Sequence, residues 1–306
     1  MSEFRQLADG VYVFLQPALV WYSNAGVIVG DRDVIVVDSL TSAAMAEGLR
    51  AEIRRVTDKP VRFLVNTHSH PDHVYTNHLF PEAVTIATGA GRERTKANRA
   101  AQARHDALFA GHFPEVDFRG GRYTPQDLAF RGSLSLRPGG TEVCVIELGP
   151  GHSESDAVVH LPAEGIVFCG DLLMRGMLPL PGEGQVSATI ANYQAVEALE
   201  AAVFVAGHGA PGTRADVRAQ RAELERVFGR ARQCFERGLG YDEALQAVGD
   251  DPMPADFRRM ILLASYCEFT GKHPESADLA SRDHFSLLQG IAAEARRRLG
   301  RAGEAD

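Results

Sequence analysis

Phe63-Leu64-Val65-Asn66-Thr67-His68-Ser69-His70-Pro71-Asp72-His73 decides how this chain is read: a short apolar run passes straight into three imidazoles and a carboxylate. The run Phe63-Leu64-Val65-Asn66 has the length and composition of a buried strand, and the Ser and Pro that follow mark a loop at its end. With only 11 histidines in 306 residues, three within one H-x-H-x-D-H loop form a ligand cluster rather than a chance grouping. Imidazole and carboxylate together suit zinc, iron or manganese better than magnesium or calcium. His68 and His70, two apart on an extended segment, project to one side and can share an ion. Asp72 and His73, where the chain turns into the next helix, can reach a second ion close by.

Working outward, the segments around this loop read as strands and helices of a mixed sheet covered by helices. Val11–Phe14, Val20–Val29 and Asp33–Asp38 are extended, broken by Gly30-Asp31-Arg32-Asp33 turn chemistry. Thr41 to Val56 has helical spacing at Ala44, Met45, Leu49 and Ile53, with Thr41 or Ser42 as N-cap. Ala83–Ala87 is a strand and Gly91 to Ala110 a helix. The second half repeats the grammar: strands at Leu128–Leu136, Thr141–Leu148, Ala157–Leu161, Ile166–Cys169 and Val203–Ala206, and a helix at Ala188–Glu200. Beyond Pro211 only helical patterns remain, at 215–236, 242–248, 257–269 and 284–299. Three more ligand-type residues stand at strand ends, where sites are commonly built: His152 after Leu148-Gly149-Pro150-Gly151, Asp171 after Ile166-Val167-Phe168-Cys169-Gly170, and His208 in Val205-Ala206-Gly207-His208-Gly209.

This ordered set, from the histidine loop through an isolated His, an Asp after a buried strand and a final His, resembles the metallo-β-lactamase superfamily. The resemblance runs from about residue 10 to 213 and takes in Asp38, which ends Val34-Ile35-Val36-Val37 as the family's first acidic motif does. It implies a four-layer αββα sandwich with a C-terminal helical extension, divided as a catalytic domain over 1–213 and helices over 214–306 packed on it. It also implies that His68, His70 and His152 hold one divalent ion, that Asp72, His73 and His208 hold another, and that Asp171 bridges them together with a water. Asp38 then steadies the histidine loop from behind. Asp72 and Asp171 are the catalytic carboxylates of that scheme, and two zinc ions, or iron or manganese, are its cofactors. A water shared by two such ions has a pKa that can fall from 15.7 to about 7, which makes it a nucleophile at neutral pH. No G-x-S-x-G elbow offers a serine alternative.

Within the superfamily, Asp171 argues against the true β-lactamases, and the continuation Val74-Tyr75-Thr76-Asn77 argues against glyoxalase-II-like thioesterases. The stretches Trp21-Tyr22-Ser23-Asn24-Ala25-Gly26, Thr76-Asn77-His78-Leu79-Phe80-Pro81 and Phe113-Pro114-Glu115-Val116-Asp117-Phe118 resemble bacterial members that include aromatic polyketide cyclases and thioesterases. Hydrolysis of an ester, thioester, lactone or related carbonyl bond, in secondary metabolism, is the leading expectation. The alternative is ring closure of a poly-β-ketone with the same metal pair as Lewis acid. Met174, Arg175 and Met177, just past Asp171, together with His273 in the loop Thr270-Gly271-Lys272-His273-Pro274, are candidate substrate contacts, and the tail is expected to pack over the metal mouth. His78, His105, His112, His160 and His284 read as surface or packing residues.

The composition limits the rest. Lys plus Arg total 32 against 40 Asp plus Glu, a formal charge of -8, so nucleic acid is not expected as a partner and the expected substrate is a small molecule or an acyl group on a carrier. A mean hydropathy of -0.14 and the lack of any long apolar run argue against a membrane span. The start, Met1-Ser2-Glu3-Phe4-Arg5-Gln6, has no basic-then-apolar signal, so a cytoplasmic location is expected, with a homodimer left open. Cys144, Cys169, Cys234 and Cys267 make no C-x-x-C pair and read as free thiols.

Overall fold

Alternation along the strands sets the layers. The computed structural model describes residues 2–17, 19–114, 116–177 and 185–271. A seven-stranded sheet runs in the order β1 (Glu3–Ala8), β2 (Val11–Leu15), β3 (Ala25–Val29), β4 (Val34–Val37), β5 (Val61–Val65), β6 (Val84–Thr88) and β7 (Leu128–Phe130). It is antiparallel up to β4 and parallel from β4 to β7. A second sheet comprises β8 (Ser133–Leu136), β9 (Val143–Gly149), β10 (Asp156–Leu161), β11 (Ile166–Phe168) and β12 (Val203–Val205). Its strands are antiparallel except for the parallel pair β11 and β12.

Ile35, Val37 and Val65 point from the first sheet into a core shared with Val143, Val145, Val159 and Phe168 of the second. Their neighbours Val34, Val36 and Leu64 point the other way, onto Ala46, Leu49 and Ile53 of helix α1 (Ala43–Val56). These α1 residues recur at three- and four-residue intervals, the spacing of one helical face, and Ser42 caps the helix by accepting from Met45 N. Strands buried on both faces read as continuous apolar runs, and each fully buried Val, Ile or Leu contributes about 1.5–3 kcal/mol.

After β5 comes the four-residue helix α2 (Pro71–Val74), and after β6 come α3 (Gly89–Ala100) and α4 (Gln102–His112). The outer face of the second sheet, through Val158, Val167 and Phe204, is covered by α5 (Val186–Ala198), α6 (Arg214–Glu236) and α8 (Ala255–Thr270), with the short α7 (Tyr241–Ala247) alongside. The layers are thus helix, sheet, sheet, helix, as the resemblance implies. Tyr193 and Val196 of α5, Val217, Leu224 and Phe228 of α6, and Phe257, Ile261 and Leu262 of α8 form one cluster with that sheet. The described part of the tail therefore packs on the back of the second sheet. The helix expected over 284–299 lies outside the described residues. The four cysteines are free thiols, three buried and Cys144 half-buried. Among the described residues no helix is long and apolar enough to cross a membrane.

The structure redraws four segments. Val20–Val29 is strand only from Ala25, because the polar groups of Ser23 and Asn24 bond to the loops carrying Asp72 and His208 and not to a ladder. Leu128–Leu136 is two strands in different sheets, turning at Gly132 with φ 71. The helix read over 91–110 is broken at Ala101, whose ψ of 8 ends α3. Strand β1 has no counterpart in the sequence reading; it is a mostly exposed edge with little apolar signal.

Candidate metal centre

Every ligand-type side chain sits just past the C-terminal end of a strand, on one shared edge of the two sheets. Asp38 follows β4, the histidine loop follows β5, His152 follows β9, Asp171 lies in a 3-10 turn (Gly170–Leu172) after β11, and His208 follows β12. All are buried except the half-buried His70.

Two clusters result. His68, His70, His152 and Asp171 converge as one group, and Asp72, His73 and His208 as another. His70 Nδ1 lies 3.0 Å from both His68 Nε2 and His152 Nε2. Asp171 Oδ2 is 3.4 Å from His152 Nε2, 4.0 Å from His68 Nε2 and 3.3 Å from His208 Nε2, and its Oδ1 is 3.2 Å from His73 Nε2. Asp72 Oδ2 is 3.2 Å from His208 Nε2 and 3.7 Å from His73 Nε2. Ligand atoms held about 2.0 Å from a tetrahedral ion lie about 3.3 Å from one another, which is the spacing seen here.

The outer nitrogens of the imidazoles are held by other groups. His73 Nδ1 is 2.9 Å from Asp38 Oδ2, His208 Nδ1 is 3.0 Å from Leu19 O, and His68 Nδ1 is 3.1 Å from Thr67 Oγ1. With Nδ1 as the donor in these three contacts, the Nε2 lone pairs of His73, His208 and His68 face the cluster, as metal binding requires, while His70 faces it through Nδ1. Asp38 also accepts from Thr67 N and Thr67 Oγ1, both at 2.8 Å, so one carboxylate fixes the start of the histidine loop and the ring of His73. Asp38 adopts φ 62, a left-handed conformation that aspartate tolerates better than most residues.

The donor set fits two divalent cations. His73 Nε2 and Asp171 Oδ1 are buried, lie 3.2 Å apart without the alignment of a hydrogen bond and have no other hydrogen-bond partner among the described residues, an arrangement that costs about 1–3 kcal/mol per group unless a ligand engages it. The charges point the same way. Burial alone would lower His208, yet the Asp171 and Asp72 carboxylates push it up to about 10. His73 is likewise driven well above the usual imidazole range, against its burial, by Asp171, Asp72 and Asp38. Burial alone would raise Asp171, but His208 and His73 hold it well below the usual carboxylate range. His68 is pushed down by burial and by the neighbouring imidazoles, so it stays neutral and able to bind a cation. These buried carboxylates demand positive charge, and metal ions supply it while leaving the imidazoles unprotonated.

Several supporting residues are not visible to sequence reasoning. Asp156 accepts from His152 N at 2.6 Å, Ser153 N at 3.0 Å and Ser153 Oγ at 2.5 Å, which shapes the His152 loop; burial pushes its carboxyl up to about 6. Asn24 donates to Ala206 O at 2.9 Å and Gly209 O at 2.7 Å and so ties down the His208 loop. Gly207 must lack a side chain, since a Cβ there would collide with Asp171 Oδ1 and the Gly170 carbonyl. The stretch Ser23-Asn24-Ala25-Gly26 is the one available signal for any of these. Of the proposed substrate contacts, Met174 and Met177 are buried in the core cluster with α5 and α6, and Arg175 pairs with Asp216. His273 lies outside the described residues. His105 packs against Phe109 and Tyr123, and His160 Nε2 is 3.2 Å from Glu200 O, neither of them in a ligand cluster. His78 lies on the 3-10 turn Asn77–Leu79, away from both clusters. The side chain of His112 and all of His284 lie outside the described residues.

Comparison with known proteins gives a consistent result. The family model described as "Metallo-beta-lactamase superfamily" matches residues 18–208. A linear primary-alkylsulfatase from Pseudomonas sp. (strain ATCC 19151) is 24% identical over 262 residues, covering 73% of this chain and 49% of that one. The chain thus spans about half the length of this curated relative. Among solved structures, a metallo-beta-lactamase family protein from Thermus thermophilus superposes with a TM-score of 0.64 at 22% identity, covering 87% of this chain and 95% of that one. A double mutant of the sec-alkyl sulfatase PisA1, a Pseudomonas enzyme, superposes with a TM-score of 0.71 at 16% identity, covering 97% of this chain and 62% of that one. These structural likenesses establish the fold.

Proposed function

Because the chain belongs to the metallo-beta-lactamase superfamily, we propose that it is a hydrolase working with two divalent ions, zinc first among the candidates. The observation that supports this reading is the Asp171 carboxylate standing between two clusters of inward-facing imidazoles. When bound, such a pair of ions supplies a water of lowered pKa and polarises the oxygen of the bond under attack. The chain's own residues do the rest. His68, His70 and His152 would hold one ion and Asp72, His73 and His208 the other, with the Asp171 carboxylate facing both sets. Asp72, whose Oδ2 faces His73 and His208, would orient a proton at its carboxylate. The buried walls keep bulk water from competing for the same groups.

The bond we assign is the acyl C–O or C–S bond of an ester, thioester or lactone, on a small molecule or a carrier-linked acyl group, with the alcohol or thiol as leaving group. Arg175, the cation nearest Asp171 in sequence, is engaged by Asp216, which favours a neutral reacting centre over an anionic one. A second reading, a sulfate ester, is favoured by the likeness to the sec-alkyl sulfatase, which covers 97% of this chain and so takes in α6 to α8.

Metal analysis combined with a substrate panel tests these readings. The expected result is two ions per chain and turnover of an acyl thioester, aryl ester or lactone that chelation abolishes and zinc restores. Fewer than two ions at full metal supply, or turnover indifferent to chelation, overturns the dinuclear hydrolase. Turnover of an alkyl sulfate alone selects the second reading. Ring closure of a poly-β-ketone without hydrolysis selects the cyclase alternative.

A further inference from the structure

Asp171 and His208 belong to different loops, and residues 171–177 join them. Gly207 N donates to Gly170 O at 2.8 Å and to Leu173 O at 3.0 Å, Met174 pairs with His208 in a parallel bridge, and Arg175 N donates to His208 O at 2.8 Å. The strap 171–177 and the His208 loop therefore move as one piece. Asn24 ties the His208 loop of this piece from one side and Asp216 of α6 pairs with Arg175, but the strap backbone itself is held from outside by one buried side chain of α6. Gln220 Oε1 accepts from Met174 N at 3.2 Å and from Tyr193 OH at 3.1 Å, while its Nε2 donates to Met174 O and, at 3.2 Å, to Met177 O. Two donors and two lone pairs are all a glutamine amide has, and here every one is used, three of them on the strap backbone.

We infer that Gln220 is a positioning residue: from α6 it fixes the strap, and through the strap it sets the places of Asp171 and His208 in the metal centre. This rests on the dinuclear reading above. It differs from ordinary core packing because its effect on the two ions is unequal. His68 is held through Thr67, itself bonded to Asp38, and the His152 loop through Asp156, and these bonds do not involve the strap. The ion held by Asp72, His73 and His208 draws both His208 and Asp171 from the strap unit, whereas the other ion draws only Asp171. Metal-supporting residues outside the ligand set typically account for 10–100-fold in affinity.

The test is zinc titration of the full-length apo-protein against a competing chelator, read together with thermal unfolding. Wild type, Gln220→Leu and Leu224→Ala are compared; Leu224 is a fully buried residue one turn along α6 with an apolar side chain that makes no bond to the strap. Gln220→Leu should weaken one of the two ions at least tenfold and leave the other within about threefold, following the usual size of such supporting contacts. Leu224→Ala should lower the unfolding temperature and leave both affinities unchanged. Should the leucine variant fail to fold, Gln220→Asn keeps the amide but is one methylene too short to reach both carbonyls, and a weakening of the same ion is expected. Unchanged affinity for both ions in whichever Gln220 variant folds, or equal weakening by Leu224→Ala, overturns the inference. Wild type that binds no pair of ions would instead remove the dinuclear reading and the inference with it.

Discussion

Replacing Asp38 by Asn isolates the bond that aims His73. The exchange keeps the size and the tolerance for φ 62, so the backbone conformation is not perturbed, whereas alanine would add about 1–2 kcal/mol of left-handed strain. Asparagine still accepts from Thr67 N through one oxygen. Its NH2 group, however, meets two donors, Thr67 Oγ1 at 2.8 Å and His73 Nδ1 at 2.9 Å. The hydroxyl can rotate to accept, but the imidazole N–H cannot. A buried hydrogen bond to a charged group is worth about 1.5–3 kcal/mol, and that is the expected loss of stability. For a chain of this size it corresponds to roughly 2–5 °C in unfolding temperature. The freed ring also turns its Nε2 away from Asp72 and Asp171, so one of the two ions should bind about 10–100-fold more weakly. Chelator competition with zinc and a thermal melt measure both effects on one preparation. If Asp38→Asn holds both ions within a factor of about two of wild type, Asp38 does not orient His73, and the reasoning is refuted.

Other expectations follow from the same geometry. Asp171→Asn and Asp72→Ala should abolish turnover while the circular dichroism spectrum stays that of wild type, since both side chains face the clusters and not the core; near wild-type rate in either would remove its catalytic role. Stripping metal with a chelator should lower the unfolding temperature by roughly 10 °C, because each ion at about a thousandfold excess over its Kd adds about 4 kcal/mol, and adding zinc should restore it. Deleting residues 214–306 should yield insoluble protein, since it uncovers the apolar face that Phe204 of the second sheet and Tyr193 and Val196 of α5 present to α6 and α8; a soluble truncated form with two ions and unaltered substrate preference would show the tail to be a separate module.

Local pattern made much of this protein legible in its sequence. H-x-H-x-D-H is short enough that the backbone alone brings its side chains together, and a run such as Val34–Val37 announces a strand buried on both faces because every position is apolar. His152, Asp171 and His208 could be picked out by their places after apolar runs. That they meet within hydrogen-bond distance of the loop at 68–73 follows from strand order, which places the ends of β5, β9, β11 and β12 on one edge. What carries no periodicity stayed hidden. Leu128–Leu136 looks like one strand, yet Gly132 sends its halves into separate sheets. Asp156, Asn24 and Gln220 are single polar residues with no periodic signature, whose partners lie from three residues away for Asp156 to 185 for Asn24. The candidate ligands and the layered class can be read from the chain alone, because both are written in residue type and spacing. How those side chains are aimed came with the packing, because hydrogen bonds between distant segments depend on which surfaces it brings together.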